Sequence, residues 1–537
     1  MTFTTLLIFI LLVQIVHFLG TWKLYIKAGR KAWESAVPIY NSIVLMKIIN
    51  RSPWWTILLF VPIVNLIMFP VVWVETIRSF GKNNNLDTFL VVATFGLYIY
   101  YINYTQEVKY IENRSLKPRT SAGEWTSSIL FAIVAATIVH TYVMQPFTIP
   151  TSSLEKSLLV GDFLFVSKFH YGARAPMTTV SFPMVHDKVP VLNKKSYLDQ
   201  PQIPFFRFPG FQKIKHNDIV VFSWPTDTLV VIDDPSKGFM YKPIDKKSNY
   251  VKRCVGLPGD TLEVKNGYVF INGKQNELPD RAKIQFRYQI NSKEALVKTN
   301  NQRKYTQIPS DFITSNFDIT DIYLYDIDRE NKMFIHYAQM TDETYEKIKN
   351  NPKIIEVTKA TEERGKWNSG VFPQDPRFNW NTKFFGPIFI PKAGTTIDIS
   401  IENIPLYKRV IEVYEGSELG ISNIITQAGT QVFLNGEPIT EYTFLQDYYW
   451  MMGDNRDNSQ DARMWGFVPF NHVVGKPVFV WMSWDSNATG FMNKIRWERL
   501  FTTVGGDGEP VSYFKYFVVV LAGWFAFSYF RKKKKIA

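Results

Sequence analysis

Four short stretches of the 537-residue chain concentrate side chains able to do covalent or acid–base chemistry. Residues 145–162 read QPFTIPTSSLEKSLLVGD and carry the hydroxyls of Thr151, Ser152, Ser153 and Ser157. Residues 216–225 read HNDIVVFSWP, and residues 250–260 read YVKRCVGLPGD, with Lys252 and Arg253 inside an otherwise apolar run. Residues 453–469 read GDNRDNSQDARMWGFVP, rich in Asp, Asn and Arg. Taken singly, Ser153 reads as a loop or cap serine, Lys252 as a surface lysine and GDNRDNS as an Asx-rich turn. Other chemistries find less support. The seven histidines, at 17, 140, 170, 186, 216, 336 and 472, are scattered, and neither HExxH nor GxSxG occurs. The single cysteine, Cys254, excludes an internal disulfide, a Cys-based zinc site and an iron–sulfur cluster. A Ser–His–Asp triad assembles in space, so spacing leaves it open, but no sequence feature points to one.

In this order the four blocks resemble the bacterial type I signal peptidases (leader peptidases), membrane-bound Ser–Lys serine proteases that remove secretory signal peptides. The third and fourth blocks match that family's pattern almost residue for residue. The resemblance implies that Ser153, in the family's I-P-S-x-S-M pattern, is the nucleophile and that Lys252, in Tyr-Val-Lys-Arg, is the general base. Thr151 stands for the first Ser of that pattern, Leu154 for its Met, and Lys156-Ser157 for a Pro-Thr pair. It further implies an oxyanion held by the Ser153 N–H and the Thr151 hydroxyl. Ser459 would orient the lysine, with Asp454, Arg456, Asp461 and Arg463 as a charged scaffold behind it. Phe147, Ile149, Leu158, Tyr250 and Val251 would line two shallow pockets that exclude large side chains at the first and third positions before the scissile bond. The implied activity is endopeptidase cleavage of N-terminal signal peptides after small residues, through an acyl-enzyme, with no metal or organic cofactor.

Electrostatics is consistent with that pairing. Serine is a poor nucleophile until a base takes its proton. A lysine serves only when neutral, and its free pKa near 10.4 makes neutrality at pH 7 cost roughly 4.6 kcal/mol. Desolvation lowers that pKa by disfavouring the ammonium. Tyr250, Val251, Cys254, Val255 and Leu257 supply apolar neighbours in a strand-like run. Strand alternation sends Arg253 to the opposite face, where solvation is expected. Lys156 lies too near Ser153 in sequence to be the family's base. Tyr407-Lys408-Arg409-Val410 echoes residues 250–253, and residues 432–436 echo 269–273, as a degenerate internal repeat or chance β similarity would. Only Lys252 is followed by a Gly-Leu-Pro-Gly-Asp turn.

Such residues need a β scaffold and an anchor. Apolar runs at about 3–22, 54–74, 88–104, 125–144 and 513–530 are long enough to cross a bilayer, with Pro62 and Pro70 expected to kink the second. The first lacks a basic start and a small-x-small site, so it reads as an uncleaved anchor. Lys and Arg crowd the loop after the first run and the loop before the fourth, which includes Arg119, and form the 531–535 tail. The positive-inside rule puts these in the cytoplasm and everything between the fourth and fifth runs outside. The net charge of +13, beside only 20% charged residues and 16% aromatics, favours a membrane protein over a nucleic-acid binder.

The expected fold is a mainly β catalytic domain of antiparallel sheets with several transmembrane helices. Its parts are a membrane region at 1–124, an anchor at 125–145, catalytic segments at 146–274 and 445–512, an inserted β-rich subdomain at 275–444, and a last helix with a basic tail at 513–537. Asn-Gly pairs at 266–267, 272–273 and 435–436 signal hairpins, and residues 342–349 are the best helical pattern outside the apolar runs. Phe205, Phe206, Phe208 and Phe211 form an apolar cluster suited to the membrane interface or to a buried loop. The expected location is the bacterial inner (plasma) membrane, multi-pass, with the catalytic domain on the outer face. Expected partners are signal peptides of exported preproteins and the lipid bilayer, with the secretion translocon as a candidate and no nucleic acid. The rival readings are a catalytically inactive relative acting as an export-associated binding module, and a transporter.

Overall fold

Apolar runs become continuous helices only where nothing interrupts the backbone ladder. In the computed structural model, which describes residues 3–118, 120–227, 240–300, 306–488 and 490–536, two helices are long and apolar enough to cross a membrane: Thr4–Lys27 and Ser121–Val143. Arg119 lies outside the described residues, as do the side chains of 532–535. Of the five expected spans these are two, and the bent pair Asn85–Ala93 and Tyr98–Thr105 makes a third if it is counted as one span. The run at 54–74 is divided into Trp55–Leu58 and Val64–Ser79, because Ile63 takes φ +70 just after Pro62. Pro70 is accommodated within the second helix. The run at 88–104 is divided into Asn85–Ala93 and Tyr98–Thr105, inclined at 118°. Phe95 and Gly96 both have positive φ at that break, and a Cβ on Gly96 would meet the Trp73 ring at 2.8 Å. The last run does form a helix, Phe514–Ile536, but Lys515 and Arg531 dilute its apolar character.

Two compact units result. The first comprises Met1–Met144, Ala173–Phe208 and Tyr241–Lys247. Its core gathers Leu24, Tyr25, Met46, Ile49, Val64 and Ile102. Gly20 lets the first long helix approach Tyr100, whose ring would lie 2.6 Å from an added Cβ.

The second unit comprises Gln145–Gly172, Pro209–Met240 and Ser248–Ala537. An eight-stranded sheet runs in the order Met144–Thr148, Asp162–Ser167, Val473–Ser483, Ile219–Ser223, Asn249–Gly256, Tyr448–Met452 and Val468–Pro469, with Thr502–Thr503 also on Val473–Ser483. Val473–Ser483 serves two neighbours in turn. Its start pairs antiparallel with Val221 and Phe222, and its remainder pairs with Asp162–Ser167. Asn249–Gly256 is thereby an interior strand, antiparallel to Ile219–Ser223 on one edge and Tyr448–Met452 on the other.

All three Asn-Gly pairs are hairpin turns, with both residues at positive φ as a two-residue hairpin loop requires. Residues 342–349 hold the helix Asp342–Ile348. The stretch 275–444 contributes a four-stranded sheet, Asp321–Asp328, Met333–Met340, Phe286–Ser292 and Ile354–Lys359 in spatial order. Its strand Phe385–Phe389 pairs with Thr261–Lys265. One core consequently joins Val255, Leu262, Phe385, Ile390, Trp450 and Phe467. The apparent echo of residues 250–253 at 407–410 is not a structural repeat, since Lys408 lies on the helix Ile404–Arg409 while Lys252 lies on a strand.

Candidate active site

Ser153 sits in a single turn of 3-10 helix, Ser152–Leu154, just after Thr151, whose backbone is extended at φ −129 and ψ 156. Lys252 projects from the interior strand opposite Val220. The two meet across the fold. The Lys252 Nζ lies 2.6 Å from the Ser153 Oγ, a hydrogen bond with both side chains buried. Lys252 is 3% exposed. Burial lowers its ammonium pKa to about 8; Asp461 and Asp454 pull the other way, and Arg463 adds to the lowering. An amine so placed can exchange a proton with the hydroxyl, as acid–base assistance to a nucleophile requires.

The remaining candidate residues fall into three groups. Asp454, Arg456, Asp461 and Arg463 are all buried and built into one ionic frame. Asp461 caps the short helix Ala462–Trp465 and accepts from the Gly453 N–H at 3.1 Å. It also accepts from Arg463 Nε at 2.9 Å and Nη2 at 2.8 Å. Burial alone would raise the Asp461 pKa, yet Arg463 and the backbone N–H hold it below the usual carboxylate range. Arg456 donates to the Gly267 carbonyl, and burial lowers its pKa to about 10. Thr151 is exposed, two residues before Ser153, and its hydroxyl has no hydrogen-bond partner among the described residues. Ser459 is buried, and its hydroxyl makes no hydrogen bond to Lys252 or to any other described residue.

The five pocket candidates divide between two apolar clusters. Phe147, Ile149, Leu158 and Val251 join one apolar cluster with Leu154, Val221 and Val480. Tyr250 belongs to another, against Trp224 and Trp465 at ring separations of 5.1 and 5.5 Å. Strand alternation explains the split, since residues 250 and 251 point to opposite faces.

Arg253 departs from expectation. It is 3% exposed, not solvated, because Asp454 meets it with two bonds, Nε to Oδ1 at 2.7 Å and Nη2 to Oδ2 at 2.6 Å. A paired guanidinium tolerates burial that a lone one would not. Ser157 adds to the same carboxylate at 2.5 Å. Sequence reasoning also passed over the two asparagines of the fourth block. The Asn455 N–H donates to the Ser153 carbonyl at 3.1 Å, its side chain donates to the Ser152 carbonyl at 3.2 Å, and Asn458 donates to the Ser152 hydroxyl at 3.0 Å. Gly453 permits this approach, since a Cβ there would lie 2.7 Å from the Ser153 carbonyl oxygen and 2.2 Å from the Ser459 Oγ. The intervening stretch takes part as well: the Gln285 N–H donates to the Asp454 carbonyl at 2.9 Å, and Lys383 pairs with Asp457 at 2.6 Å. The signal for these contacts was present only as an excess of Asn and Asp in a short run. Among the described residues no group of three or more His, Cys, Asp or Glu is placed to hold a metal ion.

Known proteins share these segments. The model of the family described as signal peptidase, peptidase S26, matches residues 122–317 and 399–484, more than half of the chain. A family of unknown function (DUF5684) matches residues 33–113. The chain is similar to signal peptidase I of Buchnera aphidicola (subspecies Acyrthosiphon pisum), 25% identical over 438 residues that cover 78% of this chain and 98% of that one. It is similar to signal peptidase I of Helicobacter pylori, 24% identical over 393 residues covering 71% and 92%, and of Haemophilus influenzae, 22% identical over 401 residues covering 73% and 79%. Read with the buried serine and lysine, the family match leads to one conclusion: the chain belongs to the signal peptidase family, peptidase S26.

Proposed function

We propose that this protein cleaves the signal peptides of exported preproteins after small residues, with Ser153 as nucleophile and Lys252 as general base. The observation that carries this reading is the 2.6 Å contact between a buried amine and a buried hydroxyl. In the proposed sequence, neutral Lys252 accepts the Ser153 proton as Oγ attacks the scissile carbonyl. The same proton then passes to the leaving amine as the C–N bond breaks. Lys252 next takes a proton from the water that attacks the acyl carbonyl, and returns it to Ser153 Oγ as the acyl C–O bond breaks and the carboxyl product leaves. The developing oxyanion is held by the Ser153 N–H and by Thr151, an exposed residue whose hydroxyl is uncommitted among the described residues. The pocket walls are assigned to Phe147, Ile149, Leu158 and Val251 on one face and Tyr250 on the other, and the orienting role to Ser459. The Lys and Arg distribution supports placing the peptidase segments on the outer face of a bacterial plasma membrane, anchored by Ser121–Val143.

The test is cleavage of a synthetic signal-peptide substrate by the full-length protein in detergent, with the cut site read by mass spectrometry. A cut after a small residue supports the reading; intact substrate overturns it. Thr151→Val is expected to lower kcat by about 10²–10³-fold with little change in KM, the loss typical of one oxyanion donor. The pH profile carries the signature of the base. With the Lys252 pKa lowered to about 8, the reactive neutral amine is depleted below that value and accumulates above it. The kcat/KM of the free enzyme is accordingly expected to rise with pH through an acid limb near 8. A limb near 4 or near 10.5 would argue for another base.

A further inference from the structure

The loop carrying Ser153 is held on its upstream side by Asn455 and Asn458. Its downstream side is held by Ser157 on Asp454 and by a segment that the proposed reaction does not use. The helix Asp311–Phe317 ends at Asp318, which takes φ +53. Ile319 follows, fully buried in a core with Phe286, Ile313 and Ile322, and the strand Asp321–Asp328 then begins. Ile319 thus fixes the turn from below, while the residues on either side of it face the Ser153 loop. Asp318 Oδ1 pairs with Lys156 Nζ at 2.7 Å. Thr320 Oγ1 donates to Glu155 Oε1 at 3.3 Å. Asp321 Oδ2 accepts from Asn458 Nδ2 at 2.9 Å, and that same nitrogen donates to Ser152 Oγ. Ser152, Glu155 and Lys156 all lie within three residues of Ser153.

Lys156 gives these contacts a purpose. Its φ of +70 lies in the left-handed region, which costs any residue with a Cβ. A proline, locked near −65°, could not stand there. The loop therefore takes a conformation that proline cannot enforce, and something else must hold it. An ion pair with a carboxylate as exposed as that of Asp318 adds little to global stability, so its consequence is local.

We propose that residues 318–321 clamp the Ser153 loop, making Asp318, Thr320 and Asp321 positioning residues for the peptidase reaction. The proposal rests on Ser153 being the nucleophile. The triple variant Asp318→Ala, Thr320→Val, Asp321→Ala, with Ile319 retained, is assayed as full-length protein in detergent on the synthetic signal peptide. The expected result is a kcat lowered about 10–100-fold, with KM and the thermal midpoint unchanged, as a displaced nucleophile would produce. Asp318→Glu is expected to retain most of kcat. Lys156→Ala and Asp318→Ala are expected to combine to no more than the worse of the two. An unchanged kcat in the triple variant, with Ser153→Ala inactive, overturns the clamp and leaves the proposed chemistry standing. A loss of kcat accompanied by a fallen midpoint or a raised KM also overturns it, in favour of a general structural role. Full activity of Ser153→Ala would instead remove the reading on which the clamp depends.

Discussion

Ser153→Ala is expected to abolish cleavage of a signal-peptide substrate, a loss on the order of 10⁶-fold for removal of a serine nucleophile. Lys252→Ala is expected to cost about 10²–10⁴-fold or more, the share of general acid–base catalysis. Lys252→Arg is the sharper test, because it keeps a cation at the site but cannot deprotonate near neutrality. If Lys252 served only as a fixed positive charge, Arg would restore activity; as a base, it leaves the enzyme inactive. Lys408→Ala is the control. Lys408 is exposed on its own helix, near Glu412 at 3.9 Å, and its loss is expected to leave cleavage unchanged. Wild-type activity in Ser153→Ala or in Lys252→Ala would end the assignment. Each variant is to be checked for an unchanged thermal midpoint, so that lost chemistry is not confused with lost structure.

The second large effect falls on stability. Asp461→Ala is expected to destabilise the second unit by about 3–5 kcal/mol, because it strands the fully buried Arg463 guanidinium without its carboxylate. The readout is the midpoint of heat- or denaturant-induced unfolding of the full-length protein in detergent. Arg463→Ala is expected to cost about as much, since it strands Asp461 in turn. The double variant should fall well short of the sum, as the two side chains share one interaction. An unmoved midpoint in Asp461→Ala would mean that the frame is not held by this pair. The pH dependence has a definite sign. The Asp461 pKa in the folded protein is depressed, so its contribution is fully present above the ordinary carboxylate value and is lost as pH falls through the folded value.

Much of the architecture was legible because its causes are local. Each Asn-Gly pair requires consecutive positive φ values, and each closes a hairpin between strands that their own alternation marks. Lys252 was legible as a candidate because its sequence neighbours are apolar, and burial does lower its pKa to about 8. The helical spans were less legible. Hydropathy registers how apolar a segment is but not whether its ladder is broken, and left-handed residues at Ile63, Phe95 and Gly96 interrupt two runs that composition alone would pass. Arg253 illustrates the same limit within the site. Alternation correctly separates it from Lys252, but whether that face is wet depends on what covers it.

By itself the sequence determined the order of the four blocks, the short strands and turns, the apolar segments, and through the blocks the family. These follow from propensity, periodicity and turn chemistry, which act within a few residues. Only the tertiary structure decided which groups meet: Ser153 and Lys252 across 99 residues, Arg253 and Asp454 across 201, and the Ser153 loop against residues 318–321. Whether a charge is buried and neutral, buried and paired, or left in water depends on partners that arrive from distant parts of the chain, and no local pattern encodes their arrival.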